Sequence, residues 1–220
     1  MPANALTMTL AFLTVLAISA PASAQPAAVK LAQPDFNAPG LTVLKALQNR
    51  KSDRAFADRD LDLRHLSEVL WAAGGINRQE MPGGGVGRTA PSGRNVQAIE
   101  IFAVTRDGVY RYDPPAHELK LVTGGDHRAQ AGDQDYVAAA PLNLIYVADL
   151  NKFTSGGEAD KKLAAAIDLG HISENVYLYC ASAGLNVVAR TSIKPGNLAS
   201  ALKLEAGRLP MMGQTIGYKQ

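Results

Sequence analysis

The run Leu142-Asn143-Leu144-Ile145-Tyr146-Val147-Ala148 carries one amide and one phenol among otherwise apolar side chains. A segment of this length and composition reads as a strand buried on both faces at the centre of a sheet. Shorter strand patterns flank it. Residues 99–105 form one, Gly108 with Val109-Tyr110-Arg111-Tyr112 suggests a hairpin, and residues 119–122, 187–189 and 212–218 add more. Helical spacing lies between them. Leu41, Leu44 and Leu47 mark a short amphipathic helix, and Leu63, Leu66, Val69 and Leu70 mark a second, with Trp71 at its end and Gly74-Gly75 as its stop. Residues 163–183 read as a long, mostly apolar helix ended by Gly184, a core or dimer-spanning element, and residues 198–204 as another helix. Apolar stripes of this kind are core, so Trp71 is given no binding role. The mixture predicts an α+β fold with a central sheet.

Residues 8–20 are an uncharged apolar run, short for a bilayer span, followed by the small-residue triplet Ala22-Ser23-Ala24. This is a signal-peptide pattern without the usual basic start; a retained membrane anchor is the alternative. The expectation is Sec-type export, with residues 1–24 removed and a periplasmic or secreted chain beginning at Gln25. Pro26, Pro34 and Pro39 before Gly40 make residues 25–40 an extended lead-in. Residues 41–220 are then one domain. The 22 Lys and Arg nearly balance 20 Asp and Glu, a net charge of +2. That balance is too even to point to nucleic acid or, after signal cleavage, to a membrane surface. A single cysteine, Cys180, sits in an apolar run, which excludes an internal disulfide and reads as a buried, inert thiol.

Chemistry concentrates in Gln48-Asn49-Arg50-Lys51-Ser52-Asp53-Arg54-Ala55-Phe56. Arginine forks match phosphate oxygens two at a time, and a serine hydroxyl or free backbone N–H supplies a further bond. If the segment is helical, Arg50 and Arg54 share a face. The plainer reading is a solvated basic helix end. Met81-Pro82-Gly83-Gly84-Gly85-Val86-Gly87 lacks both nucleotide-loop endings and reads as a flexible loop. His65, His117, His127 and His171 lack metal-ligand spacing, and Cys180-Ala181-Ser182-Ala183-Gly184 lacks the first glycine of a hydrolase elbow.

Arg50-x-Ser52-x-Arg54-x-Phe56, followed some forty residues on by Pro91-Ser92-Gly93-Arg94-Asn95-Val96-Gln97, resembles the flavin-dependent nitroreductase family. Leu66-Ser67-Glu68-Val69-Leu70-Trp71-Ala72-Ala73-Gly74-Gly75-Ile76, Gly108-Val109-Tyr110-Arg111-Tyr112-Asp113, Gly170-His171-Ile172-Ser173-Glu174-Asn175-Val176-Tyr177-Leu178 and Ala183-Gly184-Leu185 are similar to its SagB/thiazole-oxidase-type branch. The resemblance spans nearly all of residues 41–218.

It implies a nitroreductase-like α+β fold with a mixed, mainly antiparallel sheet flanked by helices, a homodimer, and FMN at the subunit interface. By that resemblance Arg50, Lys51, Ser52 and Arg54 hold the phosphate. Asn95, flanked by Pro91, Ser92 and Gln97, meets the imide edge or ribityl, and Thr191 and Ser192 approach the ring face. Thr191 stands where many relatives have Glu. The basic segment that some relatives carry near the C-terminus has no counterpart in the string, which puts more weight on the first clamp. Lys152-Phe153 lacks the phenol of a Lys-Tyr pair in azoline-oxidising members, which disfavours that substrate. The function expected is two-electron or hydride transfer through flavin to a small organic acceptor. The alternative is a protein of this fold that binds no flavin or another anionic ligand.

Overall fold

The computed structural model describes residues 26–193 and 195–220. The expected signal segment, residues 1–24, and the new N-terminus at Gln25 lie outside the described residues. In chain order the elements are β1 (Ala28–Lys30), α1 (Val43–Asn49), α2 (Leu63–Gly74), β2 (Ile76–Arg78), β3 (Gly87–Arg88), β4 (Ile99–Val104), β5 (Gly108–Asp113) and β6 (Glu118–Gly124). There follow α3 (Asp135–Ala139), β7 (Leu142–Asp149), α4 (Glu158–Ala183), β8 (Asn186–Arg190), α5 (Pro195–Leu202) and β9 (Arg208–Gly217).

Seven strands form one sheet in the order β1-β6-β5-β4-β7-β9-β8, and each described pairing is antiparallel. β7 is buried at every position and lies between β4 and β9, as its composition requires. Its side chains alternate between two cores. Leu142, Leu144, Tyr146 and Ala148 join Val69 and Leu70 of α2 and Leu169, Ile172 and Val176 of α4. Ile145 and Val147 join Val137 of α3 and Leu198, Ala201 and Leu202 of α5 on the other side. A polar chain crosses the first core: the Tyr146 hydroxyl donates to Gln214 Oε1 at 2.6 Å, and Gln214 Nε2 donates to the Ser173 carbonyl at 3.2 Å. Cys180 is buried, and burial pushes its thiol pKa up, as an inert thiol requires.

Two local expectations are corrected. The lead-in is not wholly unpaired, because Ala28–Lys30 adds a strand to the edge of β6 and Leu31 is buried. Its prolines bracket the paired residues, and an edge strand tolerates the donors they lack. The helix expected around Leu41, Leu44 and Leu47 exists, but it buries only Ala46; Leu44 is 79% exposed and Leu47 49%. Helical periodicity had identified an apolar face without identifying what covers it.

α2 begins at Asp62, whose carboxylate accepts from the His65 amide at 2.8 Å and from the Tyr218 hydroxyl at 2.9 Å. This N-cap ties the helix to the residue after β9. Partial burial raises the Asp62 pKa, but hydrogen bonds from the His65 amide, the His65 ring and Tyr218 outweigh it and bring it from 3.8 to about 2. A depressed carboxyl pKa contributes stability that is present above the unfolded value and is lost as the pH falls through the folded one. Urea midpoints are therefore expected to fall between pH 3.8 and about 2, and Asp62→Asn to flatten that dependence. An unchanged pH profile in the variant contradicts the assignment.

Candidate functional site

α1 stops at Asn49, with Arg50 as its C-cap, and residues 50–55 are irregular. The helical placement of Arg50 and Arg54 on a common face is thus replaced by an open chain running beside β8. The Asp53 amide donates to the Val187 carbonyl at 2.9 Å, and Asn186 Nδ2 donates to the Ala55 carbonyl at 2.6 Å. Buried Tyr177 organises the segment from α4. Its hydroxyl lies 2.8 Å from Ser52 Oγ and accepts from the Ala189 amide at 2.8 Å, while the Arg50 guanidinium sits 5.5 Å from its ring centroid. Lys51 pairs with Asp53 at 2.9 Å; that bond lowers the Asp53 pKa. Arg54 is exposed and, among the described residues, forms no ion pair.

A cavity of about 250 Å³ opens here, lined by Asn49, Lys51, Asp53, Tyr177 and Lys219. Lys219, near the C-terminus, thus stands beside Lys51 although no basic segment was legible there. A bridge between Phe56 and Lys219 brings it there, across a sequence separation that hides the contact from a linear reading.

At the far end of β8, Thr191 is exposed and Ser192 half-buried. Gln134 Nε2 donates to Ser192 Oγ, and Gln134 Oε1 is buried without a hydrogen-bond partner. Underneath, Arg190 donates to Ala131 O at 2.6 Å, Asn143 Oδ1 at 2.9 Å, Thr215 Oγ1 at 3.2 Å and Ser192 O at 3.3 Å. Burial pulls its pKa down to about 10, with Tyr136 and Asp133 opposing. Glycine is needed at 132 and 213, since a Cβ there would lie 2.7 and 2.5 Å from Arg190 Nη1.

The 91–97 segment folds as a strained turn. Arg94, Asn95 and Gln97 have φ of 53°, 54° and 51°, a conformation that costs non-glycine residues energy and persists where surrounding bonds impose it. Asp168 of α4 imposes it here. Ser92 Oγ donates to Asp168 Oδ2 at 2.6 Å and accepts from the Gln97 amide at 2.8 Å, and the Gly93 amide reaches Asp168 Oδ1 at 3.3 Å. Asn95 Nδ2 donates to Val86 O at 3.1 Å, and Gln97 Nε2 donates to Val86 O and Asn95 Oδ1, each at 2.7 Å. Pro91 is exposed. Lys152 donates to the Gln97 carbonyl at 3.1 Å; burial of the ammonium, on an otherwise exposed side chain, lowers its pKa.

One protomer therefore holds two groups. Arg50, Lys51, Ser52, Arg54, Thr191 and Ser192 lie along β8 and the residues that follow it, about 13 Å from Val187 to Thr191. Ser92, Asn95 and Gln97 belong elsewhere. Their anchor Asp168 and the clamp's anchor Tyr177 are nine residues apart on α4, about 13.5 Å along the axis and half a turn around it. Linear reading missed Tyr177, Gln134, Asp168 and Lys219. The first and third sit inside an apolar helical pattern, where a phenol or a lone acid stands out only once its partner is known.

The Nitroreductase family model matches residues 47–218. A crystal structure of a candidate nitroreductase from Ralstonia eutropha JMP134 is 38% identical, with a TM-score of 0.81 over 89% of this chain and 90% of that one. MJ1384 of Methanocaldococcus jannaschii, also named as a candidate nitroreductase, is 28% identical over 183 residues, 79% of this chain and 89% of that protein. A chain of the E. coli microcin synthetase McbBCD complex shares the fold at 19% identity, with a TM-score of 0.64 over 87% of this chain and 79% of that one. The chain belongs to the nitroreductase family. Its site is built on the α+β fold that family uses.

Asp168→Ala removes the two acceptors that hold the strained turn. Hydrogen exchange of residues 91–97 is expected to accelerate while β7 stays protected; equal protection in both proteins would show that the turn holds itself.

Proposed function

We propose that the chain is an exported, FMN-dependent oxidoreductase of the SagB/thiazole-oxidase-type branch, acting on a small organic acceptor. The arrangement along β8 carries this reading. A cavity at one end, lined by Lys51, Lys219 and Asp53 with Arg50, Ser52 and Arg54 on the adjoining chain, and an orphaned, buried Gln134 oxygen beside Ser192 at the other suit a ligand with an anionic group and a planar amide-like ring. Flavin fits both ends and, when bound, supplies the two-electron chemistry.

The protein's part is placement. Arg50, Arg54, Lys51 and Lys219 neutralise the phosphate, Ser52 adds a hydroxyl, and Gln134 accepts from an imide N–H. Thr191 and Ser192 present backbone to the ring, while Arg190 fixes their path from below. Ser92, Asn95 and Gln97 lie across α4 and complete the site from a second copy. Exposed Leu163 (62%) and Ile167 (55%) on α4, with Val43 (69%) and Leu44 (79%) on α1, support a homodimer, because water-facing apolar side chains in such number favour a covering surface. Lys152-Phe153 disfavours azoline oxidation, leaving nitroaromatics, quinones or a specialised metabolite as acceptor classes.

Purified protein is expected to be yellow or to become so on reconstitution with FMN. Arg50→Ala with Arg54→Ala should weaken FMN by several kcal/mol, each charge-assisted bond being worth roughly 1.5–3 kcal/mol, with the circular dichroism spectrum unchanged. A colourless protein that cannot be reconstituted, or a double variant with unaltered affinity in a flavin titration, would sink the proposal.

Export adds a second expectation. A Sec-type signal delivers an unfolded chain, so flavin is acquired after translocation. Periplasmic protein should begin at Gln25, carry less than one flavin per chain, and gain thermal stability with added FMN, by about 2.7 kcal/mol at a hundredfold excess over Kd. N-terminal sequencing that finds Met1 on cytoplasmic, fully loaded protein refutes it.

A further inference from the structure

A polar cavity of about 220 Å³ lies between the start of β4 and the end of β5, lined by Arg88, Glu100, Arg111, Tyr112, Asp113 and Lys152 among others. It is distinct from the clamp. Three strands, β4, β7 and β9, separate β5 from β8, a distance of about 19 Å across the sheet.

Among the residues lining this cavity three cations, Arg88, Arg111 and Lys152, face two carboxylates, Glu100 and Asp113. Asp113 is hydrogen-bonded by Lys120, which lowers its pKa, and the Arg111 charge adds a smaller effect in the same direction. Glu100, with a side chain only 12% exposed, lies 3.8 Å from Arg111 Nη1 and 3.5 Å from Arg208 Nε, and it also faces Arg88 and Lys152. One carboxylate, whose own Oε2 makes no hydrogen bond, thus faces four cations; Asp149 also acts on Arg208, at 3.9 Å, and on Lys152, and Asp113 acts on Arg111, which leaves Arg88, among the described residues, without a second acid. Arg88 is the least satisfied of them. Its Nη1 reaches the Ile99 carbonyl at 3.4 Å, and its Nε is buried with no acceptor. Leaving a buried charged donor unmet is costly unless something completes it.

We infer that this cavity binds a small oxoanion, the carboxylate or phosphate group of a small molecule, with Arg88, Arg111 and Lys152 as its donors. A guanidinium fork meets two oxygens of such a group at once, and the second arginine and the ammonium bring further donors and charge. The size agrees, since pockets for whole drug-sized ligands run from roughly 300 Å³ upward. Occupancy bears on the 91–97 turn, because the Lys152 ammonium that meets the anion also holds the Gln97 carbonyl at 3.1 Å. The inference stands whether or not the clamp holds flavin.

The test uses the full chain carrying Arg50→Ala and Arg54→Ala, so that the clamp does not contribute. Inorganic phosphate and acetate are titrated at low ionic strength by calorimetry, with the arginine Nε–H resonances followed by NMR. Saturable binding that moves a protected arginine Nε–H is expected, and the tighter of the two anions identifies the group as phosphate or carboxylate. Adding Arg111→Ala, a side chain 43% exposed, should weaken binding about tenfold or more. Adding Glu100→Gln should strengthen it, because a competing carboxylate is removed, whereas a self-contained salt-bridge network would gain nothing. Should Glu100→Gln fail to fold, Arg111→Ala decides alone. Absence of saturable binding, or unaltered affinity in Arg111→Ala, overturns the inference.

Discussion

Burial of β7 on both faces is the constraint on which the rest depends. A strand with no solvent-facing side must have hydrogen-bonded neighbours along both edges and an apolar layer above and below. β4 and β9 supply the edges, α4 and α2 one layer, and α5 with α3 the other. Each fully buried Leu, Ile or Val of the strand contributes roughly 1.5–3 kcal/mol by leaving water, so the layers are held by many comparable contacts rather than by one. The Tyr146–Gln214–Ser173 chain then fixes how α4 sits over the sheet, because buried polar atoms are costly unless each meets its partner.

With α4 fixed, its polar side chains become anchors for distant chain. Tyr177 satisfies Ser52 and the Ala189 amide at once, and so sets the clamp against β8. Asp168 collects Ser92 and the Gly93 amide, and so ties a turn with three left-handed residues to the helix. The half turn of helix between these anchors keeps the two groups apart within a protomer. The same rigid element therefore explains both the order of each group and their separation within one protomer.

Electrostatics divides the molecule in a similar way. Arg190 is buried in a slot opened by Gly132 and Gly213 and is satisfied by four neutral acceptors, so its role is to fix backbone. Arg88 is half-buried with its Nε unmet and shares Glu100 with three other cations. The contrast between a completed cation and an incomplete one separates a structural arginine from one that awaits a ligand.

What the sequence determined by itself was local and periodic. The apolar run 142–148, the helix ended by Gly184 and the hairpin at Gly108 follow from side-chain spacing and backbone preference, which act over a few residues. The family was legible from the order of its motifs. Only tertiary structure decided which faces are covered and which polar groups meet. The leucines of α1 have a helical period yet face water, because periodicity carries no information about the opposing surface. Tyr177, Gln134, Asp168 and Lys219 were invisible because each takes its role from a partner brought close by the sheet, at separations of 125 residues for Ser52 and Tyr177 and 76 for Ser92 and Asp168. A hydrogen bond is a short-range event, and the folded chain alone sets which distant groups come within its reach.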